Sequence, residues 1–377
     1  MTKVILGLSG GVDSSVSAWL LKNQGYDTEA LFMRNWDSAL NNDISGNPDL
    51  FDPVCPQETD YQDALAVAEQ LNIKLHRHDF IKEYWDDVFQ YFLSEYEKGR
   101  TPNPDILCNK YIKFNAFLTV AKTLEADKIA MGHYARVQET NGEFQLLKAI
   151  DLNKDQSYFL CQLTQEQLKH VLFPIGELTK PAVRKIAIEN HLPTAKKKDS
   201  TGICFIGERN FAAFLGNYLP AKPGNIITET HQILGRHQGL MNYTIGQRKG
   251  LGIGGNKELG NDPWFVVGKN LMTNELMVGQ GFHHPLLFAN RCLVEEINWI
   301  PKQKFIGTLK CNAKFRYRQT DIPVEIEWVD DLTLSVKCIE PVRAITPGQA
   351  AVFYLGDICL GGGTIDKVYL DETLRAY

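Results

Sequence analysis

The chain has 377 residues, 44% of them hydrophobic and 23% charged, with a formal net charge of −5. That length predicts two or three domains, and the slightly acidic balance excludes a globally basic nucleic-acid binder, leaving only a local patch for such a partner. No apolar run approaches the ~18 residues of a membrane helix. The first apolar strand starts too close to Met1 for a targeting peptide, so the expected location is the cytoplasm or an equivalent reducing compartment.

In chain order, Val4 to Leu8 reads as a strand and Ser9-Gly10-Gly11-Val12-Asp13-Ser14-Ser15 as a tight turn into a helix with Val12, Val16, Trp19 and Leu20 on one face. Strand, glycine turn and helix start is the layout that aims backbone N–H groups and a positive helix end at a phosphate. Adjacent glycines permit φ > 0 and close approach of an anion. Ser9, Ser14 and Ser15 add hydroxyl donors, whereas Asp13 suits a phosphate site only with a cation between them. The loop is neither a Walker A loop nor a dinucleotide fingerprint; the plain alternative is a serine-capped βα turn.

After a helix stop at Gly25, Thr28 to Met33 is the second parallel strand. Met33 then sits at the carboxyl edge where ligands bind, beside a base or simply in the core. Residues 34–58 read as a long polar loop, and Thr59-Asp60-Tyr61-Gln62 as a capping box opening a helix. Lys74 to Phe80 is another strand, and Tyr84, Trp85, Val88, Phe89 and Phe92 mark an amphipathic helix. This alternation predicts an α/β domain with a doubly wound parallel sheet.

Pro102 and Pro104 are expected to hold an extended, non-helical segment before helical spacing resumes at Ile112, Phe117, Leu118 and Ala121. Cys108 then lies near a helix start with Lys110 and Lys113 at hand, a setting that lowers a thiol pKa; an inert buried cysteine is the alternative. Lys128 to Ala135 reads as a strand containing Gly132-His133, with His133 facing substrate or solvent. Asn141-Gly142 signals a type I′ hairpin, and Asn153 to Tyr158 reads as a solvated loop. Lys196-Lys197-Lys198 precede Asp199-Ser200-Thr201-Gly202-Ile203-Cys204. Such a run is a solvated face by default, or else serves a thiolate or a phosphate backbone. Two thiols on loops near cations, in a chain with a nucleotide loop, point to sulfur transfer through a persulfide and a disulfide. No Cys-x-x-Cys occurs among the eight cysteines, which argues against a zinc tetrad. Cys161, Cys292, Cys311, Cys338 and Cys359 read as small buried hydrophobes.

The α/β rhythm stops near residue 211. Phe211, Phe214 and Leu215 suggest a short helix, and the glycines and prolines to Gly255 a β-rich central domain with a basic turn at Gly246-Gln247-Arg248-Lys249-Gly250. Residues 256–262 read as a flexible loop, and Trp264 to Val267 pairs with Glu275 to Val278. Evenly spaced short strands at 305–309, 313–318, 324–328, 334–338 and 351–354 predict a small β-barrel. Within it, Lys314, Arg316 and Arg318 are expected on one strand face and Phe315 and Tyr317 on the other. The domain boundaries are 1–210, 211–284 and 285–377.

The Ser9–Ser15 turn resembles the PP-loop of the ATP pyrophosphatases, which cleave ATP between its α and β phosphates. Six segments in order make the resemblance specific: Gly7 to Ser15, Asn103-Pro104-Asp105 with Cys108, Gly132-His133-Tyr134-Ala135, Lys154 to Tyr158, Asp199 to Ile206, and Gly246 to Leu251. Together, over essentially the full length, they resemble the bacterial-type tRNA-uridine 2-sulfurtransferases, the tRNA-specific 2-thiouridylases. The resemblance implies that Gly7, Leu8, Ser9, Gly10, Gly11, Val12, Asp13 and Ser14 hold ATP phosphates, with Mg2+ and possible help from Asp13, and that Met33 and Gly132 line the adenosine. It implies Asn103, Pro104 and Asp105 around the target base, with Asp105 a candidate acid/base. Cys108 is then the nucleophile, Cys204 the persulfide carrier, and the two a transient disulfide. His133, Lys154, Asp155, Gln156, Arg316, Tyr317 and Gln349 are implied tRNA contacts. The implied partners are tRNA, met at a wobble uridine in the anticodon arm, and a persulfide sulfur-donor relay protein, with no membrane. Two rivals stand beside this reading: another PP-loop amidation or ligation of a small substrate, and a non-catalytic tRNA-binding protein.

Overall fold

The computed structural model describes residues 1–47, 56–199, 210–254, 260 and 262–375. Strands β1 (Lys3–Gly7), β2 (Asp27–Arg34), β3 (Leu75–Asp79) and β4 (Lys128–Ala130) are joined by helices, of which α1 (Val12–Asn23) and α2 (Pro56–Leu71) border the first turn. The hairpin β5 (Ala135–Thr140) and β6 (Glu143–Lys148) and the short β7 (Val171–Leu172) follow. The first sheet is parallel throughout in the order β3-β2-β1-β4-β7. Alternate residues of its strands feed two cores: Ile5, Leu31, Met33 and Met131 enter one, and Val4, Leu6, Ala30 and Phe32 the other. A sheet covered on both faces explains why β1 is apolar without alternation. The chain winds one way from β1 through β3 and then crosses to β4 on the other side, so the crevice at the carboxyl end of β1 is the topological switch point.

Two local expectations fail here. Helix α2 begins at Pro56, which places Thr59 inside it, so the 59–62 box is not used as a cap. Pro104 does not forbid helix; it occupies the first helical position, with Asn103 as N-cap. A proline there gives up only an N–H that has no helical partner. Helical backbone then continues to Thr123, π-wound from Cys108 to Ala116.

The central unit is a four-stranded sheet in the order β10-β11-β8-β9, from β8 (Gly224–Ile227), β9 (Ile233–His237), β10 (Trp264–Asn270) and β11 (Glu275–Gln280). The short helix Phe211–Gly216 precedes it. Beyond it, β12 (Phe288–Trp299), β13 (Thr308–Lys314), β14 (Ile322–Trp328), β15 (Leu334–Arg343), β16 (Ala350–Leu355) and β17 (Ile358–Leu370) form an antiparallel barrel closed by the β12–β17 pairing. Cys292, Cys311 and Cys338 lie in its core; burial pushes the latter two thiols up to about 12. Cys161 and Cys359 are equally enclosed.

Three features of this half depart from the sequence pattern. The 313–318 strand ends at Lys314, and Phe315 to Arg318 make a turn, so the two-face alternation is absent. The longest strand, β17, runs through Gly361-Gly362-Gly363, although glycine weakens a strand interior. A Cβ on Gly361 would lie 2.0 Å from the Asn298 carbonyl, so the glycines are there for backbone contact across the barrel. The β5–β6 hairpin hydrogen-bonds to β17 and extends the barrel sheet, although it lies in the first 210 residues. Its Asn141-Gly142 turn has positive φ at both positions, as the dipeptide predicts. No helix among the described residues is long and apolar enough to cross a membrane.

Candidate active site

The loop after β1 is shaped by its own polar groups. Gly10 has φ +73°, and a Cβ there would lie 2.2 Å from the Asp60 carbonyl of α2, so only glycine fits. The Ser14 hydroxyl donates to the Gly11 carbonyl at 3.0 Å and lies 3.2 Å from the Ser9 hydroxyl. Gly11 caps α1 without any side-chain bond, so the first-turn N–H groups stand open to an anion. Gly7 meets the thioethers of Met131 and Met33, and a Cβ on Gly132 would lie 3.0 Å from the Ser14 nitrogen. Gly7, Ser9 to Ser14, Met33 and Gly132 are thus brought to one place at the switch point.

Asp13 is not a bare carboxylate. Its Oδ1 accepts the Tyr134 hydroxyl at 2.8 Å, and Lys180 Nζ donates to both its oxygens at 2.8 Å. Burial, then the Asp13 charge, holds the Tyr134 phenol in its protonated form. Lys180 also lies 2.8 Å from Asp199 Oδ1, and Asp199 pairs with Lys154 and Arg184. Burial alone would raise the Asp199 pKa; the Lys180 and Lys154 ammonium groups outweigh it and hold the carboxyl well below the usual range. With both oxygens engaged, Asp13 as it stands is a partner of Lys180 and does not fit as a metal ligand. No group of three or more metal-ligating side chains occurs among the described residues.

Asn103, Pro104 and Asp105 open the helical stretch that carries Cys108, which is fully buried. Gln349 Nε2 donates to the Thr101 and Pro102 carbonyls at 2.7 and 3.3 Å, so a barrel loop holds the entry to this helix. Asn103 meets the Tyr158 hydroxyl. The 153–158 segment is not a solvated loop. Asp155 is buried and accepts from Ala149 N, Ser157 N and Ser157 Oγ, and Gln156 exchanges two bonds with the Tyr134 backbone. His133 faces neither solvent nor an open cleft: it is buried between Phe114 and Phe173, and burial, then Lys113, lowers its pKa well below the usual value. Arg316 Nη2 donates to the Ile245 and Ala344 carbonyls, and Tyr317 packs on Phe159. Cys204 lies outside the described residues.

A family model described as "tRNA methyl transferase HUP domain" matches residues 2–208, a PRC-barrel domain model residues 212–280 and an aminomethyltransferase beta-barrel domain model residues 289–365. A protein of Acholeplasma laidlawii named tRNA-specific 2-thiouridylase MnmA is 58% identical, the match covering 100% of this chain and 99% of that protein. One of the same name from Bacillus cytotoxicus is 56% identical, covering 98% and 95%. The chain belongs to the tRNA-specific 2-thiouridylase family. A solved 4-thiouridine synthetase in complex with RNA and bound ATP matches 55% of this chain and 46% of that one, at 14% identity and a TM-score of 0.31.

Several residues of this site carry no clear mark in the sequence. Lys180 was one, and its signal was available: a lysine following Thr179 and preceding Pro181 falls in a helix's first turn, where the macrodipole disfavours a cation. Tyr134, the partner of Asp13, lies within the Gly132–Ala135 motif, which assigns it no role. Lys197 binds Asp60 and Asp63 on α2, so the middle of the lysine run is no solvated face. Only the fold brings residues so far apart in sequence to the Gly10 turn.

Proposed function

We propose that this chain makes 2-thiouridine in tRNA, at the wobble uridine of the anticodon arm. ATP adenylates the C2 oxygen of the base on the Gly7–Ser14 loop and pyrophosphate leaves. The terminal sulfur of a persulfide on Cys204 attacks C2, and the former C2 oxygen leaves as part of AMP. The Cys108 thiolate then attacks the Cys204 sulfur and breaks the S–S bond, leaving the thiocarbonyl on the base and a Cys108–Cys204 disulfide. An external two-electron reductant returns both thiols, and a persulfide-donor protein reloads Cys204.

The observation that carries this reading is the run of alternating charges Asp13–Lys180–Asp199. It ties the nucleotide loop to the residue that precedes Cys204 by five positions. The other thiol sits in the helix whose entry Gln349 holds. Asp105, in the first turn of that helix, is the candidate acid/base.

The test is mass spectrometry of tRNA nucleosides from a strain lacking its own 2-thiouridylase and carrying this chain. Wild type is expected to restore 2-thiouridine, and Cys204→Ser and Cys108→Ser to abolish it. Thiolation by Cys204→Ser with a physiological donor would sink the scheme.

A further inference from the structure

The strap from Gly99 to Pro102, which leads into the Asn103 helix start, is held by all three units of the fold. Lys269 Nζ of β10 donates to the Gly99 carbonyl at 2.8 Å, the Thr101 N–H to the Pro347 carbonyl at 3.1 Å, and Gln349 Nε2 to the Thr101 and Pro102 carbonyls. Arg100 adds charge to this set. Its Nη2 pairs with Asp366 of β17, and its Nη1 lies 3.6 Å from Glu95 Oε2 on the helix Gln90–Glu97. Both carboxylates are enclosed, with 9% and 2% of their side chains exposed. A third, Glu295 of β12, hydrogen-bonds to Asp366, and burial, then the Asp366 charge, raises its pKa. Lys98 reaches Glu95 as well, but stands mostly in solvent.

The barrel closes on Arg100 from one side. Gly348 has φ +87°, and a Cβ there would lie 3.0 Å from Arg100 Cβ and 2.9 Å from the Thr101 nitrogen. Gly348 and Gln349 exchange backbone hydrogen bonds with Ile365, the neighbour of Asp366. The turn that receives Thr101 and the carboxylate that receives Arg100 are therefore one piece. On the other side, Pro102 and Pro104 lock φ at two of the next four residues. A strap with so few soft torsions passes a displacement at Arg100 on to Asn103 and Asp105 instead of absorbing it. A buried charge cluster is a poor source of stability, since well-packed apolar side chains of the same volume do as well. What a guanidinium supplies here is geometry: its planar fork meets carboxylates on two elements at once, which a lysine point charge does not.

We propose that Arg100 is a positioning residue for the reaction: by gripping Asp366 and Glu95 it sets the strap so that Asn103 and Asp105 meet the target base. This rests on the reading above that the base is a tRNA uridine. Arg100 touches neither base nor nucleotide and acts through the helix start that follows it. Its loss is felt in turnover, not in the binding of ATP, because the Gly7–Ser14 loop is built from other elements.

The experiment measures pyrophosphate release by the full-length chain, with ATP and an unmodified tRNA transcript varied in turn, beside thermal unfolding. Arg100→Met is expected to lower kcat about 10- to 50-fold, the scale of a misplacement near 1 Å, with KM for ATP and for tRNA within about twofold. Its Tm should fall too, since Glu95 and Asp366 lose their cation. The double variant Arg100→Met/Asp366→Asn separates the two effects: Tm should recover in part while kcat stays low. A kcat that returns together with Tm overturns the proposal and leaves Arg100 a structural ion pair; so does an Arg100→Met variant with wild-type kcat. Should Arg100→Met fail to fold, Asp366→Asn alone carries the test, with a loss of about three- to tenfold in kcat expected at unchanged KM. An unchanged kcat in that variant overturns the role. A wild type that releases no pyrophosphate with tRNA refutes the uridine reading and the role with it; an active wild type matched by its variants refutes the role alone.

Discussion

Lys180 stands in the first turn of its helix, where the backbone dipole works against a cation. Only 11% of its side chain is exposed, and what holds it is two carboxylates, Asp13 and Asp199. The Gly10–Gly11 turn has no lysine of its own, unlike a Walker A loop, so Lys180 brings the missing positive charge from a distant part of the chain. With ATP on the loop as proposed, removing Lys180 would leave Asp13 facing the phosphates uncompensated. Lys180→Met is expected to lower kcat/KM for ATP about 100-fold, equivalent to ~2.7 kcal/mol, read as tRNA-dependent pyrophosphate release; Lys180→Arg should stay within about tenfold. A Met variant with near-normal turnover would remove Lys180 from the site. His133 makes a second prediction at this scale. Its folded pKa is depressed by burial, so below the ordinary value of 6.5 the unfolded chain takes up a proton that the folded chain refuses. Stability should therefore fall as pH drops through that value, by as much as ~1.4 kcal/mol per pH unit. His133→Phe should flatten the fall in urea midpoint between pH 7 and pH 5, and a wild-type midpoint independent of pH over that range would contradict the assignment.

At the scale of elements, the corner joining β6 to the 153–158 segment depends on one buried carboxylate. Asp155 accepts three hydrogen bonds there and lies 3.6 Å from the buried Lys314 ammonium of β13. Truncating it removes the acceptor of two backbone N–H groups and leaves the buried Lys314 with Asp321 alone, 3.8 Å away. Asp155→Ala is expected to cost about 3–5 kcal/mol, measured by urea unfolding, and Asp155→Asn less, because it keeps an acceptor. A loss under 1 kcal/mol in Asp155→Ala would show that the corner stands without it. The same corner shows what a linear pattern can carry. The β1 strand, the glycine turn and the Asn141-Gly142 hairpin were legible because each is written in neighbouring residues. Lys154 to Tyr158 were misread as solvated because the β13 lysine that answers Asp155 is remote in sequence. Pro104 was misread because a proline's effect depends on which helical position it takes. The strand across Phe315 was misread because alternation persists into a turn whose polar groups are satisfied elsewhere: Phe315 N by Gln319 and Arg316 by the carbonyls of Ile245 and Ala344. Lys180 and Tyr134 belong to the same class, since their meaning lies in what the sheet brings beside them.

At the scale of the molecule, the first unit and the barrel are not independent bodies joined by linkers. The β5–β6 hairpin leaves the parallel sheet and pairs through β6 with β17. Tyr158 donates to the Ala350 carbonyl, Gln162 to the Gly362 carbonyl, and the Thr101 N–H to the Pro347 carbonyl. Thr101 also meets Thr244 of the central unit at 3.1 Å, so the segment leading to Cys108 is fixed from both sides. The two halves are expected to differ sharply when cut. A fragment of residues 285–377 keeps all six barrel strands and their core of Val294, Phe315, Ile326 and Phe353, and should fold as a soluble monomer with one cooperative transition. A fragment of residues 1–284 loses β17, opening the β6 edge and uncovering Leu146 and Tyr158, both fully buried in the intact chain. An unpaired strand edge beside exposed apolar surface invites association, so this fragment should aggregate in size-exclusion chromatography with light scattering, and co-expression with 285–377 should reduce the aggregation. A monodisperse 1–284 fragment that unfolds cooperatively would mean that the parallel-sheet unit carries its own closure and that the barrel only decorates it. In that case Gln349 and Pro347 could not be what positions the Cys108 helix.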